Sequence, residues 1–282
     1  MRKSLTYLML ALILVAVFAL YMFFVQGRTD TKPPEITFTG TMLELSAKDP
    51  DEVYLQGVSA VDNKDGDVTA SVVVESIQLL DSNGSIRITY AAFDAAGNVR
   101  KAVRTARYTD YESPKFKLNR SLTFSYNSGF DIFAAVGAED ALDGDISHRV
   151  RITSLDDTAI TTVGMHEVEL RVSNSLGEVV KLVVRVEVYA AGTYNANLSL
   201  TDYLIYVPVG TRLDPESLLD TYTQGNRKVS LKNGVPEGYS LQTKNNVRTD
   251  VPGVYTIEYR VTQTVGATAY TGYAKLIVVV EG

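Results

Sequence analysis

The chain begins with a long, uninterrupted run of apolar residues. Leu5–Val25 comprises 21 residues without a charged side chain. As a helix rising 1.5 Å per residue, this run would span ~31 Å, which matches the roughly 30 Å hydrocarbon core of a bilayer. Tyr7 and Tyr21 lie towards its two ends, where aromatic rings favour the headgroup layer. The pattern therefore predicts a transmembrane helix over residues 5–25.

The residues around this run indicate its orientation. Arg2 and Lys3 precede it, and together with its N-terminal placement they predict that residues 1–4 lie in the cytoplasm and the rest outside the cell. One alternative is a cleaved signal peptide, whose apolar region is about 7–15 residues long before a small-x-small site. The run is longer, and its nearest candidate site, Val17-Phe18-Ala19, lies inside it. A buried core helix is the other alternative, but no helical partner is visible. An uncleaved signal anchor is favoured.

After a polar spacer over residues 26–34, which ends in two prolines, the pattern changes to short alternating segments rich in β-branched residues. Turn sequences such as Asp81-Ser82-Asn83-Gly84 and Val251-Pro252-Gly253 separate them. The predicted strands are Glu35–Thr39, Ser71–Leu80, Ser85–Phe93, Val99–Tyr108, Val168–Val172, Val179–Tyr189, Val254–Val261 and Ala274–Val280. Many short strands separated by turns are typical of an all-β sandwich or barrel.

An internal repeat divides this β region. Residues 58–68 (VSAVDNKDGDV) match residues 136–146 (VGAEDALDGDI), and residues 93–99 match residues 173–179. A third, more distant unit carries a Pro-Gly-Val-Tyr hairpin from Pro252. Repeated motifs of this length indicate repeated folding units. The predicted domains cover residues 35–109, 114–190 and 197–282.

These motifs resemble bacterial immunoglobulin-like repeats, of the type found in some pesticidal crystal proteins and in many Gram-positive surface proteins. The first domain has Asp-Gly-Asp ending at Asp67 and a Gly-Asn turn at Gly97, and the second keeps Asp-Gly-Asp ending at Asp145. The third lacks Asp-Gly-Asp. The resemblance covers most of residues 34–282. It implies an all-β chain of three tandem immunoglobulin-like β-sandwiches that serve as spacers or adhesion elements, without a shared catalytic activity.

Composition narrows the function classes further. The chain has no Cys and two His, so disulfide frameworks, Cys-based zinc sites and thiol nucleophiles are excluded. A net charge of −6 gives no reason to expect nucleic acid as a partner. His148 follows a turn and His166 alternates with Val168 on a strand, both ordinary surface positions. No phosphate loop or nucleophile elbow occurs. We expect no enzyme activity, with a cell-envelope hydrolase as the remote alternative.

Aspartates concentrate in the two Asp-Gly-Asp loops. Dense hard oxygen ligands suit calcium, which binds about 6–8 of them. The spacing does not fit a helix–loop–helix calcium loop, because position 1 counted back from Gly66 would be Val61. Asp-Gly is also a preferred turn dipeptide whose flanking carboxylates close turns without a metal, so both interpretations stay open. The candidate calcium ligands are Asp62, Asp65, Asp67, Asp94, Asp140, Asp143, Asp145 and Asn174.

Ten of the 17 tyrosines lie from Tyr189 onward, and eight of these are in the third predicted domain. Tyrosine offers a large rigid contact area and a hydroxyl group, which suits recognition. It is also a good strand former that joins core to surface, so a core role is the alternative. The candidate ligand-binding residues are Tyr194, Tyr203, Tyr206, Tyr222 and Tyr239.

Together, the patterns predict a single-pass bacterial cell-surface protein that acts as a non-enzymatic spacer or protein-interaction module. Its expected partners are the lipid bilayer, through residues 5–25, and a surface protein or glycan. The alternative is an adhesin or glycan-binding module acting through the third domain. Calcium in the Asp loops is the one cofactor that the sequence suggests.

Overall fold

The N-terminal apolar run is helical. The computed structural model describes residues 2–26, 30–40, 42–155 and 160–282, in which helix α1 extends over Arg2–Gln26. Every side chain from Thr6 to Phe23 is exposed, and this stretch has a mean hydropathy of 2.4. A helix that is apolar on all faces suits a lipid surrounding, and this one is long enough to cross a membrane. Of the predicted flanks, residues 1 and 27–29 lie outside the described residues.

The chain forms two compact units, Met1–Tyr111 and Glu112–Gly282. In the first unit, β1, β3 and β4 form one antiparallel sheet, and a second sheet has the order β2-β7-β6-β5, in which β2 pairs with β7 in parallel. The strands are β1 (Glu35–Phe38), β2 (Leu43–Leu45), β3 (Val58–Asp62), β4 (Gly66–Asp67), β5 (Val73–Leu79), β6 (Ser85–Phe93) and β7 (Val99–Tyr108).

These two sheets pack face to face. Alternate residues of β6, namely Ile86, Ile88 and Tyr90, are fully buried. The Tyr90 ring lies 5.3 Å from the ring of Phe38 on β1, and Arg104 of β7 donates hydrogen bonds to backbone carbonyls on the opposite side. Because successive strand residues point to opposite faces, these three residues share one buried face of β6, while Arg87 and Phe93 on the other face are exposed. The first unit is therefore a β-sandwich.

The N-terminal part of the second unit repeats this arrangement. Its sheets have the orders β8-β10-β11 and β9-β14-β13-β12, which correspond strand for strand to those of the first unit. Its core is built from alternate residues of β13 and β14, including Leu170 and Val186. The strands are β8 (Lys115–Leu118), β9 (Thr123–Ser125), β10 (Val136–Asp140), β11 (Gly144–Asp145), β12 (Arg151–Ser154), β13 (Gly164–Ser173) and β14 (Val179–Tyr189).

The remaining strands form one sheet, of order β18-β17-β15-β21-β20-β19, with β16 also paired to β21. Strand β21 pairs with β15 near its start and with β16 further on. A Cβ atom on Gly272 would lie 3.2 Å from Asn197 and Leu198, so glycine permits this close approach. The strands are β15 (Ala196–Leu200), β16 (Leu204–Pro208), β17 (Leu219–Gln224), β18 (Arg227–Ser230), β19 (Tyr239–Asn245), β20 (Gly253–Val265) and β21 (Thr268–Glu281).

Within the second unit, this third sheet packs against the β8–β14 sandwich. Ile277 of β21 is buried in the sandwich's hydrophobic cluster. The backbone amide of Lys275 donates to Ser121 Oγ at 2.9 Å, and its buried ammonium group pairs with the Glu187 carboxylate of β14. The Tyr273 hydroxyl donates to the same carboxylate at 3.0 Å. A buried ion pair and apolar contacts therefore join the two parts.

Candidate metal centre

Asp62 ends β3 at the first Asp-Gly-Asp turn and is 4% exposed. Its Oδ1 accepts hydrogen bonds from the backbone amides of Lys64 at 2.7 Å and Asp65 at 3.0 Å. These amides, with the amide of Asp65 contributing most, hold the pKa of Asp62 below its usual range, because they stabilise the charged form. Asp62 Oδ2 is buried, and no hydrogen-bond donor of the described residues reaches it. Turn chemistry therefore explains one oxygen of this carboxylate and leaves the other unpaired.

Asp30, in the spacer after α1, shows the same difference between its two carboxylate oxygens. Its Oδ1 accepts a hydrogen bond from the Lys32 amide at 3.0 Å. Its Oδ2 is buried without a donor in the part of the chain that the structure describes, and the side chain is 7% exposed. Lys64 Nζ lies 4.0 Å from this Oδ2 and is itself substantially exposed. A single distant ammonium group therefore faces this oxygen.

Asp94 directly follows β6, in the turn that leads to β7. It completes the group and is 8% exposed. Its two oxygens accept hydrogen bonds from the amide and the side-chain Nδ2 of Asn98, each at 2.7 Å. The same Nδ2 donates to the Asp30 carbonyl at 3.1 Å, which places the spacer beside the turn. One carboxylate oxygen from each of Asp30, Asp62 and Asp94 lies within 4.8 Å of the others. The structure thus brings together two predicted calcium ligands and one that sequence reasoning missed.

The second repeat forms the same turn, but there a side-chain amide pairs with the buried aspartate. Asp140 Oδ1 accepts hydrogen bonds from the amides of Leu142 and Asp143, each at 2.9 Å. Asn174 stands where the first repeat has Asp94, and its Nδ2 donates to Asp140 Oδ2 at 3.1 Å. Both side chains are buried. The amide therefore satisfies the oxygen that is unpaired in the first repeat.

The other predicted ligands of the first repeat bond to neighbouring turns. Asp65 Oδ2 accepts a hydrogen bond from the Ala95 amide at 2.8 Å, which links the two turns. Asp67 Oδ1 accepts one from the Thr69 amide at 2.9 Å. The hydroxyl and amide of Thr69 hold the pKa of Asp67 below its usual range. These contacts fix the loop around the carboxylate group.

In the second repeat, Asp143 and Asp145 also accept hydrogen bonds from nearby turn residues. Burial would raise the pKa of Asp143, but hydrogen bonds from Ser175 and the guanidinium group of Arg149 outweigh it, so the pKa is lowered. The hydroxyl and amide of Ser147 lower the pKa of Asp145. Both carboxylates are therefore held as anions, Asp145 by Ser147 of its own loop and Asp143 by Arg149 and by Ser175 of the β13–β14 turn.

Of the predicted ligand-binding tyrosines, Tyr222 is buried in the core, and Tyr206 and Tyr239 are partly buried. Tyr222 is fully buried and donates to the Tyr270 carbonyl at 2.9 Å, and the Tyr239 ring packs edge-on against it with a centroid distance of 5.2 Å. The Tyr206 hydroxyl accepts a hydrogen bond from the Phe116 amide at 3.0 Å, and burial raises the pKa of Tyr206 to about 12. Their contacts are those of core and interface residues.

Tyr194 and Tyr203 line a cleft of about 330 Å³ in the second unit. The Tyr194 ring stacks on Tyr273 with a centroid distance of 4.6 Å and meets Tyr189 edge-on at 4.8 Å. Polar side chains complete the lining, among them Asn119, Arg120, Ser121, Thr123 and Asn197. Aromatic rings beside polar side chains suit a polar ligand that carries apolar faces.

The expectation that His166 lies at the surface is wrong, since it is 2% exposed. Val168, Leu170 and Val172 are buried on the same strand, and His166 shares their face because side chains alternate along β13. Its Nε2 lies 2.7 Å from the Thr162 carbonyl. His166 is therefore a satisfied core residue.

Comparison with known proteins gives limited similarity, and no family model matches the chain. It is 26% identical over 182 residues to an uncharacterized 81.3 kDa protein of Acholeplasma phage L2, covering 62% of this chain and 22% of that protein. The chain thus spans about a fifth of that relative's length.

Solved structures with a related arrangement include the CBM51-2 and INT domains of Clostridium perfringens ZmpB in complex with GlcNAc. That match has 12% identity and a TM-score of 0.22, and it covers 88% of this chain and 41% of that one. Another is protocadherin gamma B2 extracellular cadherin domains 1–5, with 10% identity, a TM-score of 0.21, and coverage of 90% and 61%. TM-scores of this size support no conclusion about function.

Proposed function

We propose that this protein is a membrane-anchored module of the bacterial cell surface that acts as a non-enzymatic spacer or protein-interaction element. The observation that carries the proposal is helix α1, whose described side chains are exposed and almost wholly apolar. Leaving such a surface in water is unfavourable, whereas a bilayer accommodates it. The β-sandwich begins only nine residues after the helix ends, at Glu35, so it would stand close to the membrane surface.

The outward faces of the sandwiches carry charged side chains, which suit contact with water. Charged pairs span neighbouring strands, as between Lys181 and Glu169 and between Arg185 and Glu167 on the β13–β14 face. Such surface pairs contribute little to stability, but charged side chains on the outward faces keep β-sheets soluble. The β domains therefore suit an aqueous compartment beside the membrane.

Placing charge in the centre of α1 tests the anchor. Each arginine at a helix centre costs about 2.5–3.5 kcal/mol on insertion scales, so Leu12→Arg/Leu14→Arg is expected to move most of the protein from carbonate-washed membranes to the soluble fraction. Leu12→Ile/Leu14→Ile is the matched control and should stay in the membrane. The measurement is fractionation with immunodetection of the C-terminus.

The mass of the mature chain and protease treatment of intact cells separate the alternatives. We expect an uncleaved N-terminus and a C-terminal unit that external protease digests. A mature chain that begins after the candidate site at Ala19 would identify a signal peptide. A C-terminus that is digested only after lysis would reverse the orientation.

A second candidate is glycan binding through the cleft that Tyr194 and Tyr203 line. Its support is the combination of aromatic rings and polar side chains at one depression of the second unit. We expect the full chain in detergent to bind purified peptidoglycan or a glycan of an array, and Tyr194→Ala to weaken binding about tenfold or more. Tyr126→Ala removes an exposed tyrosine elsewhere and should leave binding unchanged. Absence of glycan binding by the wild-type chain would leave the spacer function.

A further inference from the structure

The first repeat contains two buried carboxylate oxygens to which no described residue donates a hydrogen bond. Asp30 and Asp62 each direct Oδ1 to local backbone amides, while each Oδ2 is buried and lacks a donor among the described residues. Burying a charged oxygen without a partner is costly unless a cation or hydrogen bond compensates. One carboxylate oxygen from each of Asp30, Asp62 and Asp94 lies within 4.8 Å of the other two. Oxygens this close can bind one calcium ion, because two ligands at calcium–oxygen distances of about 2.3–2.6 Å lie at most about 4.6–5.2 Å apart.

The second repeat acts as an internal control for this interpretation. Its turn has the same backbone pattern and the same buried aspartate, Asp140, but Asn174 donates to the second oxygen. The first repeat instead has a carboxylate, Asp94, in the place of that amide. Turn formation alone therefore does not account for the acidic group of the first repeat, because the second repeat forms its turn without it.

We propose that Asp30, Asp62 and Asp94 bind one calcium ion, and that this ion fastens the spacer to the first β-sandwich. The donors are all carboxylate oxygens, which suit a hard cation better than a metal that prefers thiolate or imidazole ligands. Calcium is favoured over magnesium because the carboxylates are buried, whereas magnesium dehydrates reluctantly and usually keeps several waters.

Lys64 does not replace this cation. Its ammonium group lies 4.0 Å from Asp30 Oδ2 and is substantially exposed, and it carries one positive charge against three carboxylates. Because this ammonium group is solvated and lies as far as 4.0 Å from the oxygen, it compensates little of the charge. Calcium would neutralise the group more fully and would bridge Asp30 to residues at the ends of β3 and β6.

Calcium binding at this site would affect the segment that joins α1 to the first β-sandwich. Asp30 follows the end of α1 at Gln26 by four residues, and Asn98 already donates to its backbone carbonyl. An ion shared by Asp30, Asp62 and Asp94 would order the segment from residue 30 to β1. All three carboxylates belong to the first unit, so the site needs no residue of the second.

The direct test is isothermal titration of the chelator-treated full chain in detergent with calcium chloride. We expect one calcium ion per chain, and affinity for magnesium at least about tenfold weaker. Asp30→Asn and Asp62→Asn should each weaken calcium binding at least about tenfold, since fewer charged ligands remain. Asp140→Asn, the equivalent of Asp62 in the second repeat, should leave the titration unchanged. Thermal melting of each variant without calcium checks that it is folded.

Hydrogen exchange gives an independent readout of the structural consequence. Calcium should slow exchange in peptides covering residues 30–40, and Asp30→Asn should abolish that slowing while β6 and β7 keep their protection. Lys64→Met should bind calcium at least as tightly as wild type. No calcium uptake by the wild-type chain, uptake that Asp30→Asn leaves unaltered, equal affinity for magnesium, or binding that emerges only in Lys64→Met would each overturn the proposal.

Discussion

Replacing Lys275 by methionine is expected to destabilise the Glu112–Gly282 unit by about 3 kcal/mol. Lys275 is 5% exposed and its ammonium group pairs with Glu187. Its removal leaves the Glu187 carboxylate partly buried, with the Tyr273 hydroxyl as its remaining neutral donor. An uncompensated charge of this kind costs about 3–5 kcal/mol, and partial exposure of Glu187 places the effect at the low end.

Urea unfolding followed by circular dichroism measures this loss, and hydrogen exchange in β14 and β21 locates it. The double variant Lys275→Met/Glu187→Met should recover at least half of the stability, because no unpaired charge remains. Lys181→Met breaks the exposed pair with Glu169 and should cost less than about 1 kcal/mol. Equal losses for Lys275→Met and Lys181→Met would show that the buried pair has no special contribution.

Asn174→Asp is expected to destabilise the metal-free second unit by about 2 kcal/mol. The change removes the amide donor that lies 3.1 Å from Asp140 Oδ2 and places two carboxylates together in a buried position. The new carboxylate can still accept the hydrogen bond from the Glu178 amide, as Asn174 Oδ1 does at 2.9 Å. The substitution therefore isolates the contact with Asp140.

The exchange of the two side chains provides the control. Asp140→Asn/Asn174→Asp restores one amide and one carboxylate at the same place and should recover most of the lost stability. Both variants are compared by urea unfolding in the presence of a chelator. A single variant as stable as wild type would mean that the Asp140–Asn174 hydrogen bond contributes nothing measurable.

Local patterns predicted the long elements well. The predicted strands Ser85–Phe93, Val99–Tyr108 and Val179–Tyr189 have the same bounds in the structure, and the apolar run lies wholly within α1. Strand alternation and an uncharged run are properties of neighbouring residues, so they can be detected without knowing the fold. The short strand β2 was missed because it pairs with β7, which is distant in sequence. The strand β4 was missed because its two residues are too few to show an alternating pattern.

The tyrosines show that composition does not distinguish a binding residue from a core residue. Their number in the third predicted domain suggested a recognition surface, yet Tyr222 is in the core and Tyr206 bonds to Phe116 of β8. Tyrosine suits both a binding surface and a buried strand face, because its ring is apolar and its hydroxyl can find a partner inside. Which faces are covered depends on the contact between β21 and the β8–β14 sandwich, and this contact has no local sequence signal.

The sequence by itself determined the apolar helix, the alternating strands and the Asp-Gly-Asp turns, because each follows from residues that are neighbours along the chain. The tertiary structure decided which carboxylates meet. It placed Asp30 of the spacer beside Asp62 and Asp94, and it gave Asp140 an amide partner in Asn174. Whether a buried carboxylate oxygen is satisfied depends on donors brought by distant strands, and the density of aspartates in a loop cannot reveal it.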